Sequence, residues 1–435
     1  MWVKADIQGL TYESLLAWVN RGGSMPKNLE ISSSVCGRID RNNGRLLCNR
    51  NTCRFYNPAL TRLLKHAPAE WRSVVLNCPT PTCLIRFIDS LNEAGHRTGS
   101  NSWNSVHSFQ MIASTWNGWI DREARGHSWK AFSFLPGSIT SFSLHLPGYP
   151  DDNDNDHADS DSLIDAQIKW PLQIPAELLH GLTNLQLHFD SPSIPASAVF
   201  TALQHSENLE ALEIDLSSGV FNDHMHGALM PLYSNRNGVS LPKLRRLHLG
   251  QVIGESIQDL KLIKFPNLVD LFMSFGVDGF VDESEGCETF SLDSDDTVSF
   301  DASALANFIH GDPTSPSSLQ HLHIKGASFL PGALHHIIRE LHSLAHLKLE
   351  WVSLVGDAKH DFAKLIEDKP TPLQGLRTLE ITRLKESAEI PLLRAFTEAR
   401  GIDLKLSVHD REEWEKGDKR YLYLAGIGLD SEDEY

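Results

Sequence analysis

Leu244-Arg245-Arg246-Leu247-His248-Leu249 is the stretch that decides the fold, and Leu344-Ala345-His346-Leu347-Lys348-Leu349 spells it again further along. The same Leu-x-x-Leu-x-Leu pattern, with one or two apolar exchanges, returns at Leu182, Leu185 and Leu187; at Leu209, Leu212 and Ile214; at Leu268, Leu271 and Met273; at Leu319, Leu322 and Ile324; and at Leu376, Leu379 and Ile381. Its last three residues alternate apolar, polar, apolar, the period of an extended chain with one buried face. A unit this short has no second layer of its own and buries its leucines only against the next copy.

First leucines of successive units stand 27, 35, 24, 51, 25 and 32 residues apart. Three of these steps match the leucine-rich-repeat period of about 20 to 29 residues. The longer ones call for insertions, and the longest has room for a degenerate unit. Helical spacing of apolar residues between the strands predicts helices over Asp301 to Ile309, Pro331 to Leu341, Asp357 to Ile366 and Ile390 to Ala399. Alternating strand and helix at this period predicts an α/β solenoid, a horseshoe with a parallel inner sheet and helices outside.

The formal net charge of −17 is local rather than global. Residues 150–162 hold six acids, 282–301 eight and 430–435 four, with no Lys or Arg in any of them. Outside these stretches 38 acids face 39 Lys plus Arg, so the body is nearly neutral. Such stretches lack the apolar surface to order themselves and are expected as solvated insertions and a tail. The Asp-rich run from Asp151 to Asp156 lacks the Gly and Glu that a calcium loop of the EF-hand type needs at its sixth and twelfth positions. Without a basic stripe, nucleic acid is not the expected partner. Lys4, Asp6 and Glu13 interrupt any leader-like start, no long apolar run is present and no Asn-x-Ser/Thr sequon occurs. A cytoplasmic or nuclear protein with free thiols is the expectation.

Residues 1–135 are expected to form divergent helix-strand units, 136–410 the regular repeats, and 411–435 a cap through Trp414, Tyr421, Leu422 and Leu424 with an acidic end. In the first region Leu10 to Val19 reads as a helix leading to a strand at Leu29 and Ile31, and Pro58 to His66 as a helix leading to Trp71 through Leu76. Phe109 to Glu123 is then expected as a helix leading to a strand over Trp129 to Phe134. Trp71 and Trp129 would wedge the strand starts, and Trp103, Trp116 and Trp119 are expected to fill core volume rather than form a stacking surface.

The run from Leu15 through Trp18, the turn Gly22-Gly23-Ser24-Met25-Pro26 and the strand at Leu29 and Ile31, followed by His66-Ala67-Pro68 before Trp71-Arg72-Ser73, is similar to the segment after the F-box in fungal F-box and leucine-rich-repeat proteins. The resemblance covers nearly the whole chain through the order of loose motifs. It implies a substrate-recognition part of a ubiquitin ligase whose F-box docks on a Skp1-type adaptor. The chain departs from the family at the decisive place, since it begins where an F-box ends. Ile174-Pro175-Ala176-Glu177-Leu178-Leu179 imitates an F-box opening, yet the next repeat follows at Leu182 with no room for the helices. A free-standing repeat scaffold without ligase connection is the other reading.

Outward positions between the last two apolar residues read Gln186, Glu213, His248, Phe272, His323, Lys348 and Glu380, and a neighbouring column adds Arg246, Asp270, His321 and His346, along with Asn184 and Thr378. This mixture fits a protein or peptide partner better than a polyanion. His321, His323 and His346 are expected to cluster, with no carboxylate fixed beside them by the pattern, so no metal is expected. Cys48 and Cys53, and Cys78 and Cys83, each stand five apart, unlike the Cys-x-x-Cys of zinc ribbons. No His-Glu-x-x-His, Gly-x-Ser-x-Gly or phosphate loop is present, and Gly426-Ile427-Gly428 lacks the third glycine of a dinucleotide site. The expectation is a non-enzymatic binding protein with no catalytic residue and no cofactor.

Overall fold

Each Leu-x-x-Leu-x-Leu run forms a strand at its alternating end, because alternation gives an extended chain one apolar and one polar face. The computed structural model describes residues 2–6, 12–33, 38–39, 46–47, 53–67, 69–93, 102–113, 131–146, 174–189, 196–215, 238–252, 260, 262–275, 302–310, 317–329, 332–339, 341–354, 364, 374–384 and 390–408. The chain forms two compact units, Met1–Gly250 with Leu262–Phe265, and Gln251–Lys261 with Pro266–Tyr435.

Eight parallel strands run through the first unit: β1 (Trp2–Asp6), β2 (Lys27–Ser32), β3 (Trp71–Cys78), β4 (Ser108–Ala113), β5 (Ser141–Leu146), β6 (Asn184–Phe189), β7 (Ala211–Asp215) and β8 (Arg246–Val252). Each hydrogen-bonds to the next in chain order. The second unit carries five: β9 (Asp270–Phe275), β10 (His321–Lys325), β11 (His346–Glu350), β12 (Thr378–Leu384) and β13 (Asp403–Val408), again parallel and in order. Parallel neighbours require a crossover, and helices supply many of them. They are α1 (Tyr12–Arg21), α2 (Pro58–His66), α3 (Pro81–Glu93), α4 (Ala176–Gly181) and α5 (Ala196–Gln204) in the first unit, and α6 (Ala302–His310), α7 (Ala333–Ile338) and α8 (Ile390–Arg400) in the second.

Register turns the sequence pattern into a core. Leu185, Leu212 and Leu247 are partners across β6, β7 and β8, and Leu187, Ile214 and Leu249 follow one step inward along the strands. In the second unit Leu271, Leu322, Leu347, Leu379 and Leu404 form one row and Met273, Ile324, Leu349, Ile381 and Leu406 the next. Apart from Leu404 and Leu406 on the last strand, all of these are buried. Each leucine therefore packs on its counterpart from the neighbouring repeat, at about 1.5–3 kcal/mol per buried side chain.

After the strand the chain bends at one fixed point of the repeat. Gln251, Gly326 and Trp351 stand two residues past Leu249, Ile324 and Leu349 in three repeats, and all have positive φ, at 51°, 72° and 54°. Gly326 suits this left-handed bend, and a Cβ there would stand 2.9 Å from the Phe275 carbonyl oxygen. Beyond the bends, Ser328–Phe329 pairs with Ser353–Leu354 in a second small parallel ladder.

Several helices fall where apolar spacing places them: α2 matches its expected span, and α1, α6, α7 and α8 differ only at their ends. Asn57 caps α2, its Oδ1 accepting from Ala59 N and Leu60 N with Pro58 at the first turn. Two expectations in the N-terminal region are overturned. Phe109 lies in β4 rather than opening a helix, because Phe109, Met111 and Ala113 alternate inward. Ala131–Phe134 is a 3-10 turn, not a strand. The strands of these repeats are instead Ser108-Phe109-Gln110-Met111 and Ser141-Phe142-Ser143-Leu144, which pair residue for residue. The helix expected over Asp357 to Ile366 lies outside the described residues except for Lys364, and so do the three acidic stretches, Trp116, Trp119, Trp129 and the segment 411–435.

Candidate functional site

Alternation that sends leucines inward sends the intervening residues to the opposite face of each sheet, where successive repeats align them. In the first unit Gln186 faces Glu213, and Glu213 faces His248. Gln186 Nε2 donates to Glu213 Oε2 at 2.9 Å, and His248 Nδ1 lies 3.0 Å from Glu213 Oε1. His188 Nε2 comes within 3.7 Å of the same oxygen, and its ring lies 5.4 Å from that of His145. The hydrogen bond from His248 holds the Glu213 carboxyl below its usual range, against the opposing effect of burial. Arg246 is exposed at the edge of this cluster, opposite Ala211.

In the second unit the outward residues make three rows across five strands. Asp270, His321, His346, Thr378 and Asp403 form the first, Phe272, His323, Lys348, Glu380 and Lys405 the second, and Ser274, Lys325, Glu350, Thr382 and Ser407 the third. Asp270 Oδ1 is joined to His321 Nδ1. The Phe272 ring meets the His323 imidazole edge-on, with centroids 4.5 Å apart.

Glu350 is the hub. Its Oε2 lies 3.2 Å from His323 Nε2 and 3.2 Å from Lys348 Nζ, and its Oε1 3.8 Å from Lys325 Nζ. The hydrogen bond to His323, joined by Lys348 and Lys325, outweighs burial and holds its pKa at about 2. Lys348 reaches on to Glu380 Oε1 at 3.4 Å, and His346 Nε2 stands 4.0 Å from Glu380 Oε2. Burial disfavours the Lys348 charge, yet its hydrogen bonds and attraction to Glu350 and Glu380 keep its pKa raised. Burial lowers His346, and the nearby His321, Lys405 and His323 add to this against the pull of Glu380.

The expected outward residues thus lie on the outward faces, six of them directly bridged by hydrogen bonds or ion pairs in the second unit. The repeat pattern alone fixes no carboxylate beside the histidines, whereas the folded register does: Asp270, Glu350 and Glu380 each stand against one. It also passed over His188, Lys325 and Glu350, which stand one alternation beyond the columns it followed, on the same face. Counting one more alternate position past the last leucine finds them.

Among the described residues no group of three or more His, Cys, Asp and Glu has the arrangement to hold a metal ion. Cys53, Cys78 and Cys83 are buried thiols. Trp103 is buried, packing against Phe109 and Phe134 and donating from Nε1 to the Phe134 carbonyl at 2.9 Å, so it fills core volume. Trp71, buried at the first position of β3, stacks on Trp18. Among the described residues no helix is long and apolar enough to cross a membrane.

No family model matches the chain, and no curated protein does either. The crystal structure of a Bacteroides fragilis protein aligns over 62% of this chain, which spans 66% of that protein's length, at 14% identity and a TM-score of 0.34.

Proposed function

We propose that the chain is a non-enzymatic protein-interaction module, a leucine-rich-repeat solenoid whose outward sheet face receives a segment of a protein partner. The observation that supports this reading is the register itself. It sets polar and charged side chains of successive repeats in aligned rows, with the half-buried Phe272 among them, and ties them by hydrogen bonds into a pre-ordered surface. A surface already fixed in one arrangement loses little entropy on binding. Regular spacing across strands matches an extended or helical segment better than a compact small molecule.

The resemblance of the N-terminal segment to fungal F-box and leucine-rich-repeat proteins extends the reading to the substrate-recognition part of a Skp1–cullin–F-box ubiquitin ligase. A free-standing scaffold is the alternative. Two measurements on the tagged chain test these readings. Phe272→Ala combined with Lys348→Glu should abolish capture of the specific partner while leaving the melting temperature within a few degrees. Retention of the partner by that variant rejects the outward face. Stoichiometric co-purification of a Skp1-type adaptor with the chain extended upstream in its genome supports the ligase reading, and its reproducible absence from that extended chain supports the scaffold.

A further inference from the structure

The three rows of the second unit carry unequal charge. With the imidazoles uncharged, three lysines (Lys325, Lys348 and Lys405) face four carboxylates (Asp270, Glu350, Glu380 and Asp403). Every lysine sits in the second or third row, where Lys348 bridges Glu350 and Glu380 and Lys325 reaches Glu350. The first row has a carboxylate at each end, Asp270 and Asp403, two imidazoles and a threonine between them, and no lysine.

We propose that the outward face of β9 to β13 holds a basic peptide segment near neutral pH and releases it on acidification, an inference that rests on the interaction reading above. Charge identifies the occupant. The first row offers acceptors without a competing lysine. Geometry sets the spacing. Adjacent strands lie about 4.8 Å apart, so Asp270 and Asp403, four strand steps apart, are separated by about 19 Å. An extended segment rises about 3.4 Å per residue, so basic residues five or six positions apart reach both ends when it crosses the strands.

Acid reverses the arrangement through contacts already in place. Asp270 is joined to His321, Glu350 to His323, and Glu380 approaches His346. Imidazoles as a class take up a proton between about pH 8 and 5. A proton on each of these three turns its contact into an ion pair, so the carboxylates are neutralised from within. The formal charge of the face passes from minus one to plus two, and the bound lysines and arginines are repelled. His346, whose proton is disfavoured by burial and by its cationic neighbours, completes the change only under more acid conditions.

Fluorescence anisotropy of a labelled peptide, two arginine pairs separated by about five uncharged residues, tests this on the full chain. Saturable binding is expected near neutral pH, about tenfold weaker at about pH 5.5. Asp270→Asn with Asp403→Asn should weaken neutral-pH binding about tenfold. The triple variant His321→Gln, His323→Gln and His346→Gln should lose the response to acid, binding at about pH 5.5 as strongly as it does itself near neutral pH. His321→Gln alone gives a milder check of the same response, and circular dichroism verifies folding. Absence of saturable binding, indifference to the paired Asp→Asn change, or an acid response surviving in the triple variant would each overturn the inference. A protein partner captured through Phe272 by a chain that ignores this peptide would sink the inference and leave the interaction reading standing.

Discussion

His323 Nε2 lies 3.2 Å from Glu350 Oε2, one strand over and one alternation further along, so the outward face is tied diagonally as well as across the ladder. That tie, with Lys348 and Lys325, holds Glu350 at a pKa of about 2 against an ordinary value of 4.5. A carboxyl whose folded pKa is depressed contributes stability that is fully present above the unfolded value and is lost as pH falls through the folded one. The contribution of Glu350 is therefore present above about pH 4.5 and is lost between about 4.5 and 2. Allowing for solvent screening on this partly exposed face, Glu350→Gln should cost about 1–2 kcal/mol at neutral pH and close to nothing at about pH 2. Denaturant titrations at both pH values check it, and an equal loss at both would contradict the assignment.

His346 works in the opposite chemical sense but with the same pH direction. Its lowered pKa means the folded state disfavours the imidazolium, so its contribution is present above the ordinary value of 6.5 and is lost as pH falls below it. His346→Gln should flatten the stability profile between about pH 7 and 5. A profile unchanged by the substitution would show that the group does not sense its burial.

Inward and outward positions differ in what they contribute. Leu347→Ala and Leu247→Ala remove side chains at most 3% exposed, and each should cost about 2–5 kcal/mol. Lys348→Ala breaks two ion pairs on a partly exposed face and should cost about 1 kcal/mol or less. Equal melting shifts for the leucines and the lysine would reverse the faces.

The left-handed bend can be probed by exchange. Gly326→Ala places a Cβ against the Phe275 carbonyl in a positive-φ position and should destabilise by about 1–3 kcal/mol. Gln251→Gly relieves the same conformation at its own bend and should be neutral or stabilising by up to about 1 kcal/mol. Opposite signs in thermal unfolding are the expected outcome.

Two buried tryptophans should respond differently to Phe. Among the described residues Trp71 Nε1 has no hydrogen-bond partner, so Trp71→Phe removes an unsatisfied buried donor and should cost less than about 1 kcal/mol beyond lost volume. Trp103→Phe strips the Phe134 carbonyl of its donor and should cost about 1–2 kcal/mol more.

The regular repeats were legible in the sequence because Leu-x-x-Leu-x-Leu carries both the strand period and the face assignment in six residues. Leu247 and His248 could be set on opposite faces without coordinates. Farther toward the N-terminus the same architecture is written in Phe, Val and Met, as in Ser108-Phe109-Gln110-Met111, and a tryptophan drew the strand to the wrong place. Helix α3 carries the helical stripe Leu84, Phe87, Ile88 and Leu91, with Cys83, Arg86 and Ser90 buried beside it, and the same spacing argument reaches it. The outward columns were legible as positions, but the pairing of Asp270 with His321 and of Glu350 with His323 needed register between residues 51 and 27 positions apart. Unequal insertions between units conceal such a register from any fixed period.

The most direct test of the claim that partners dock on the outward sheet face is a comparison of photo-crosslinking yields. A photoreactive residue at His323 or His248, both outward on their strands, is set against one at Arg394, exposed on α8. The account predicts crosslinks to the specific partner from positions 323 or 248 and none from 394. Crosslinks from 394 with none from 323 and 248 would contradict it.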